Sequence, residues 1–167
     1  MSDDRVAHLL AGALCVLAVA WAAAVPLSSR VRAEVGGDSI AAALAGIPHA
    51  IGSFVCHQRR DRSFITRGVQ WPVCGRCSGL YLSAAVAVVA IALGGRALVP
   101  SPLSASGVWR TTILIAAVPT LLSWGVERVG WWLPTSTTRA WIAVPLGATL
   151  GALIARLAVE AKNTAKT

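Results

Sequence analysis

Four long runs of apolar residues constrain the fold of this 167-residue chain more than any other feature of its sequence. An α-helix rises about 1.5 Å per residue, so about 20 apolar residues cross the roughly 30 Å hydrocarbon layer of a bilayer. The predicted spans are residues 6–27, 79–98, 111–129 and 140–159. Backbone polar groups within lipid must be satisfied inside the structure, which favours helices. The sequence therefore predicts an all-α fold, a polytopic membrane helix bundle of about four transmembrane helices that forms one domain over residues 1–167.

The overall composition agrees with a membrane location. Hydrophobic residues make up 56% of the chain and charged residues 13%, whereas a soluble domain carries about 25% charged residues. A cleaved signal peptide is the alternative interpretation of the first run. The residues before that run include Asp3, Asp4 and Arg5, which is not the basic segment with which such a signal begins. We therefore expect the first run to be a membrane span.

A fifth apolar segment, residues 39–55, is shorter and is interrupted by Gly46, Pro48 and Gly52. It is too short to cross a bilayer and is rich in residues that disturb helices. We predict an interfacial or re-entrant helix here.

Small residues recur at every fourth position on two of the predicted spans. Gly79 and Ser83 do so on the second span, and Gly147 and Gly151 on the last. Such small faces let helix backbones approach closely in lipid. These four residues are predicted to mediate helix packing.

The formal charge of +8 comes mostly from arginines that lie between the apolar runs. Nucleic-acid binding is not expected, because the basic loop offers only Phe64 and Trp71 as stacking surfaces. With four spans, the loop between the first two lies on the side with roughly nine basic residues, against roughly six on the other side. The positive-inside rule then places this loop in the cytoplasm.

That loop, residues 49–78, is rich in Cys, His and Arg and contains Cys56, Cys74 and Cys77. A Cys-x-x-Cys pair supplies two thiolates at the separation that a tetrahedral ion requires. Cys56 and one histidine would complete a Cys3His set, which predicts a bound metal, most simply zinc. Both His57 and His49 are candidates for the fourth ligand. His57 adjoins Cys56, whereas His49 lies seven residues before it on the same helical face.

The same cysteines allow a different function, in which the chain is a membrane thiol–disulfide oxidoreductase. Cys74 and Cys77 would be the reacting pair and Cys56 the resolving thiol. The side of the membrane distinguishes the two hypotheses, because a cytoplasmic loop keeps thiols reduced and favours metal.

Arginines are the second chemical feature of the loop. Arg59, Arg62 and Arg76 could bind an anionic lipid headgroup or a small anion, since guanidinium groups bind phosphate and carboxylate bidentately. The simpler alternative is a solvated loop that follows the topology rule. A small permease or lipid-handling protein is a third functional class consistent with these arginines. At the end of the third span, Glu127 is expected to pair with Arg128 or Arg139.

The residues of the loop also resemble a known family. Cys56-His57-Gln58, Arg62-Ser63-Phe64, Gly68 and Pro72-Val73-Cys74-x-Arg76-Cys77-x-Gly79-x-Tyr81 are similar to the signature of the bacterial membrane proteins of domain of unknown function 2085. The resemblance implies a multi-helix protein of the bacterial inner membrane, without an assigned activity. Glycine is usual in the family where Ser83 stands, and an Asp-Gly pair where this chain has Ser123-Trp124. If that acid served proton or cation chemistry in the family, the resemblance implies that this chain has either lost that role or moved it to Glu127.

Overall fold

The computed structural model describes residues 3–35, 39–94 and 106–164, and these residues form five α-helices and one short β-hairpin. The helices are α1 (Asp3–Val35), α2 (Ile40–Val55), α3 (Gly75–Ala92), α4 (Ser106–Arg128) and α5 (Ser136–Thr164). A 3₁₀ turn over Arg60–Arg62 leads into the strands β1 (Ser63–Thr66) and β2 (Val69–Cys74).

Three helices contain segments long and apolar enough to cross a membrane, namely Leu9–Val35, Gly75–Ala92 and Ser136–Glu160. They overlap three of the predicted spans, although residues 95–98 of the second span lie outside the described residues. The predicted span 111–129 falls largely within α4, whose 23 residues include Arg110, Pro119 and Ser123. This helix is not among the three, so the number of four spans stays a prediction. The apolar helix α2 has only 16 residues, and its interfacial or re-entrant placement also stays a prediction.

The all-α prediction was incomplete, because the loop contains an antiparallel hairpin. Ile65 pairs with Gln70 and Thr66 with Val69. The two-residue turn between the strands has positive φ angles, 49° at Arg67 and 84° at Gly68. Two consecutive residues of positive φ match the twist of a tight hairpin, and glycine adopts this conformation without a steric cost. The hairpin gives the loop a fixed shape.

The tightest helix contact joins α3 and α5, which run parallel. Their backbones are so close that a Cβ added at Gly79 would overlap the backbone of Ala140. A Cβ at Gly147 would overlap Leu80 and the Ser83 hydroxyl, and one at Gly151 would overlap Ala84. The four residues predicted for packing therefore all lie in this contact. Because the two helices are parallel, their N-termini lie at the same end of the bundle.

The outer faces of α1 and α4 are apolar and exposed. Half or more of the surface of each of these side chains is accessible: Leu9, Leu10, Leu14, Val16, Leu17, Leu114, Ile115, Leu121 and Leu122. Soluble monomers rarely expose continuous apolar surfaces of this extent. In a bilayer these faces would contact lipid.

Candidate metal centre at the rim of the helix bundle

Three cysteines meet where the end of α2, the end of β2 and the start of α3 come together. Cys56 follows the last residue of α2, Cys74 ends β2, and Cys77 lies in the first turn of α3. Their three Sγ atoms lie within 4.8 Å of one another, and all three thiols are free and half-buried. Residues separated by 18 positions in the chain are thus brought to one point.

The position of Cys56 is fixed by its neighbour Gln58. The Gln58 backbone has a φ of 46°, and its side-chain Nε2 donates to His49 O at 2.6 Å and to Pro72 O at 2.7 Å. These bonds connect the end of α2 to β2. Gly52 allows the close approach, because a Cβ there would overlap Pro72 O. The segment that carries Cys56 is therefore held against the strand that carries Cys74.

Hydrogen bonds to sulfur favour an anionic thiolate at Cys56. The Cys74 backbone N–H donates to Cys56 Sγ at 3.2 Å. Side-chain hydrogen bonds from Cys74 and Cys77, together with the backbone N–H groups of Gln58 and Cys74, lower the pKa of Cys56. The pKa of Cys74 is raised, first by its hydrogen bond to the Cys56 sulfur and then by burial. One thiolate is thus stabilised by two protonated neighbours, and a cation could replace their protons.

The sulfur geometry fits a thiophilic metal ion. Zinc–sulfur bonds of about 2.3 Å place tetrahedral sulfur ligands roughly 3.8 Å apart, close to the spacing of at most 4.8 Å among these three. Three sulfur ligands leave one position of a tetrahedral ion for another group.

The two candidate histidines differ in their surroundings, and neither belongs to the group of three mutually close thiols. The His49 Nε2–H donates to Gln70 O at 2.8 Å, so this histidine connects α2 to the hairpin. His57 is exposed and lines the cavity beside the cysteines. Of the two, His57 is the one that lines the same cavity as the cysteines.

A cavity of about 210 Å³ opens beside the three sulfurs. Its lining includes the cysteines, His57 and four arginines: Arg59, Arg62, Arg76 and Arg139. The three arginines predicted to bind anions therefore lie together, and they surround the same space as the thiols. The fourth, Arg139, comes from α5.

Comparison with known proteins gives the chain a family. Residues 56–153, more than half of the chain, match the family model described as "Predicted membrane protein (DUF2085)". The chain belongs to this family. It is also 28% identical over 100 residues to an uncharacterised protein of Methanothermobacter thermautotrophicus, an overlap of 60% of this chain and 84% of that protein. No solved structure matches the chain.

The region matched to DUF2085 begins at Cys56 and ends within α5. It includes all three clustered cysteines and all four arginines of the cavity. The helices α1 and α2, including His49, precede it. The matched region of this DUF2085 protein therefore includes the whole of the thiol cluster.

Glu127 is a site residue whose position the sequence indicated only in part. Its carboxylate is buried, and Oε1 accepts from Arg139 Nε at 2.9 Å and also from Arg139 Nη2. Oε2 accepts from Arg76 Nη2 at 2.8 Å, and Arg62 Nη1 lies 3.7 Å from Oε1. Arg139 was one of the two predicted partners, whereas Arg128 lies over the Trp124 ring at 5.3 Å. The carboxylate thus joins α3, α4 and α5 through Arg76 and Arg139, which also line the cavity.

Proposed function

We propose that this DUF2085 protein binds a thiophilic metal ion, zinc in the first instance, at the rim of its helix bundle. The ligands would be the thiolates of Cys56, Cys74 and Cys77, with His57 or an exogenous group at the fourth position. The observation that carries the proposal is the convergence of three sulfurs from separate elements to within 4.8 Å of one another.

Two further features support metal binding. Backbone N–H groups are directed at sulfur, which stabilises the thiolate form that binds metals. Cys74 and Cys77 also lie at the N-terminus of the 18-residue helix α3, whose dipole favours negative charge. A bound ion would neutralise part of the charge of three thiolates and fix the hairpin against the bundle.

Metal analysis of the detergent-purified protein tests the proposal. We expect about one zinc ion per chain in the wild type, and its loss in a Cys74→Ser, Cys77→Ser double variant, because tetrahedral sites need their thiolates. Cys15→Ser is the matched control, since Cys15 packs near Val88, Ile91 and Ala155 within the bundle. Wild-type protein that folds normally without zinc or another thiophilic metal would overturn the proposal.

Thiol–disulfide exchange is the second candidate function. It is favoured by the placement of Cys74 as the residue that caps α3 and of Cys77 in its first turn, beside a third thiol. In this reaction Cys74 and Cys77 would form one disulfide and release two protons, while a substrate disulfide would gain two electrons and become a dithiol. Rapid acid quenching of cells followed by alkylation distinguishes the two candidates. A substantial Cys74–Cys77 disulfide population supports exchange, whereas thiols that are always reduced support metal binding.

We also propose that the three-thiol site faces the cytoplasm and that the chain resides in a cytoplasmic membrane. The parallel arrangement of α3 and α5 puts the cysteine loop, the start of α5 and the end of α4 at one end of the bundle. That end carries the larger number of arginines, which the positive-inside rule assigns to the cytoplasm.

A further inference from the structure

The cavity beside the thiols has a second wall, made of arginine side chains. Arg59 and Arg62 come from the turn that precedes β1, Arg76 from the start of α3, and Arg139 from α5. Guanidinium groups that converge from three directions are an arrangement that favours anions.

The nearby carboxylates do not balance these charges. Glu127 is shared by Arg139 and Arg76, and both of its oxygens are engaged. Asp61 is exposed, pairs with Arg59 at 3.2 Å and lies 3.7 Å from Arg62. Four cationic side chains thus face two carboxylates and the Cys56 thiolate among the described residues, which leaves an excess of about one positive charge.

Arg62 makes the fewest hydrogen bonds of the four. Its guanidinium makes no hydrogen bond within the described part of the chain, and its two carboxylate neighbours are each 3.7 Å away. About a third of the side chain is exposed (31%), and its Nε is buried without a hydrogen-bond partner. The Nε of Arg76 is also buried without a hydrogen-bond partner. Buried guanidinium donors without acceptors are costly, and an oxyanion in the cavity would supply those acceptors.

We infer that this cavity binds a phosphate group, with Arg62 as its principal ligand and Arg76 as the second. A phosphodiester or a dihydrogen phosphate carries one negative charge, which matches this excess of positive charge. Its tetrahedral oxygens can accept from guanidinium groups that approach from different directions, which a planar carboxylate does less well. The inference does not depend on a metal at the thiols.

The phosphate could belong to a lipid headgroup or to a small solute, and two measurements separate these sources. In the first, inorganic phosphate is titrated into lipid-depleted protein and followed by calorimetry. In the second, protein extracted from vesicles that contain phosphatidylglycerol is examined by native mass spectrometry for retained phospholipid. Binding in either measurement supports the inference and identifies the source.

The variant Arg62→Gln removes the positive charge and the planar set of guanidinium N–H donors. We expect phosphate binding to weaken about tenfold or more, the range for loss of a charge-assisted hydrogen bond. Arg67→Gln is the matched control. Arg67 lies in the hairpin turn of the same loop, is 67% exposed, and pairs with Glu34 away from the cavity. It should bind like the wild type. Should Arg62→Gln fail to fold, Arg62→Lys should still bind more weakly than wild type, because a point charge replaces the planar fork.

The inference is overturned if wild-type protein binds neither phosphate nor phospholipid, or if the Arg62 variant that folds binds as tightly as wild type. Succinate, a dicarboxylate, tests the preference for phosphate. If succinate binds as tightly as phosphate, the inference is also overturned. Zinc content measured on the same samples separates this result from the metal proposal. Zinc without phosphate binding rejects only the anion site, and Arg62-dependent phosphate binding without zinc rejects only the metal site.

Discussion

Replacing Glu127 with glutamine should destabilise the bundle strongly, although the two side chains have nearly the same shape. The Glu127 side chain is 2% exposed, and those of its partners Arg139 and Arg76 are 5% and 17% exposed. Glutamine leaves these guanidinium groups without their carboxylate and directs an amide N–H₂ toward one of them. Breaking a buried ion pair by removing one partner costs about 3–5 kcal/mol, because the remaining charge is buried and uncompensated.

For a chain of this size, each kcal/mol lowers the melting temperature by about 2–4 °C, so Glu127→Gln should melt roughly 6–20 °C below wild type. Tryptophan fluorescence in detergent, recorded at one fixed scan rate because unfolding can be irreversible, measures the difference. Glu34→Gln is the matched control. It breaks the pair with Arg67, whose side chains are 56% and 67% exposed, and exposed pairs contribute only about 0–1 kcal/mol.

A melting temperature for Glu127→Gln within about 2 °C of wild type would refute this reasoning. A double-mutant cycle with Arg139→Met supplies a stricter test. Residues that share a buried ion pair show coupling of about 0.5–3 kcal/mol, so the double variant should be less destabilised than the sum of the single variants. Strictly additive effects would show that the carboxylate and the guanidinium act independently.

Three further predictions concern packing, the cysteine loop and orientation. Gly79→Ala should lower stability by about 1–3 kcal/mol, because its methyl group overlaps the α5 backbone. Gly125→Ala is the control: a Cβ there has nothing within 4 Å, so stability should be unchanged or rise by up to about 1 kcal/mol. Thermal melts of the two variants and the wild type measure the difference. Gln58→Ala removes the hydrogen bonds to His49 and Pro72. It should weaken zinc binding about 10–100-fold, the range for residues that support metal ligands. Competition with a chromogenic chelator measures the zinc affinity, and an unchanged affinity would show that Cys56 needs no such support. In a Cys15→Ser background, a membrane-impermeant maleimide should label the loop cysteines only after chelation and permeabilisation; labelling of intact, chelator-treated cells would place the loop outside.

The cysteine cluster could be predicted because the signal lay in residue type and spacing. Cys-x-x-Cys next to a helix start is a local pattern, and the pairing with Cys56 followed from the same chemistry. The positions of the two candidate histidines relative to the thiols were not predictable to the same degree. Whether His49 or His57 faces the thiols depends on where α2 ends, and the extended backbone after Val55 changes the directions that a continuous helix would give.

The hairpin was missed although a local signal for it existed. Arg67-Gly68 is a two-residue turn between runs that contain Phe64, Ile65, Val69 and Trp71, residues typical of strands. Pro72 is an opposing signal, because proline is rare within strands. Proline is tolerated here because the sheet has only two strands, so each strand is an edge strand.

Of the partners of Glu127, Arg139 was one of the two predicted from its nearness in sequence, whereas Arg76 had no local signal. Arg76 lies 51 residues away in sequence and Arg139 lies 12 residues away across a turn. These residues meet because α3 and α5 pack in parallel. The small residues predicted that the two helices are in contact, but they did not predict the relative direction of the helices. Sequence spacing identified the packing faces, whereas the direction of the helices decided which charges share a buried site.

The buried carboxylate also bears on how the thiols are used. Arg76 lies between Cys74 and Cys77 in the chain, and its guanidinium Nη2 donates to Glu127 and Ser123. The first turn of α3 is therefore fixed by an ion pair just where its cysteines must hold their spacing. A metal ligand benefits from such rigidity, because ligands held in position need less ordering on binding. A redox pair instead must change its sulfur separation from nonbonded contact to about 2.05 Å on forming a disulfide. The ion pair that restrains this turn therefore favours metal binding over disulfide exchange, and Glu127→Gln should weaken zinc binding as well as stability.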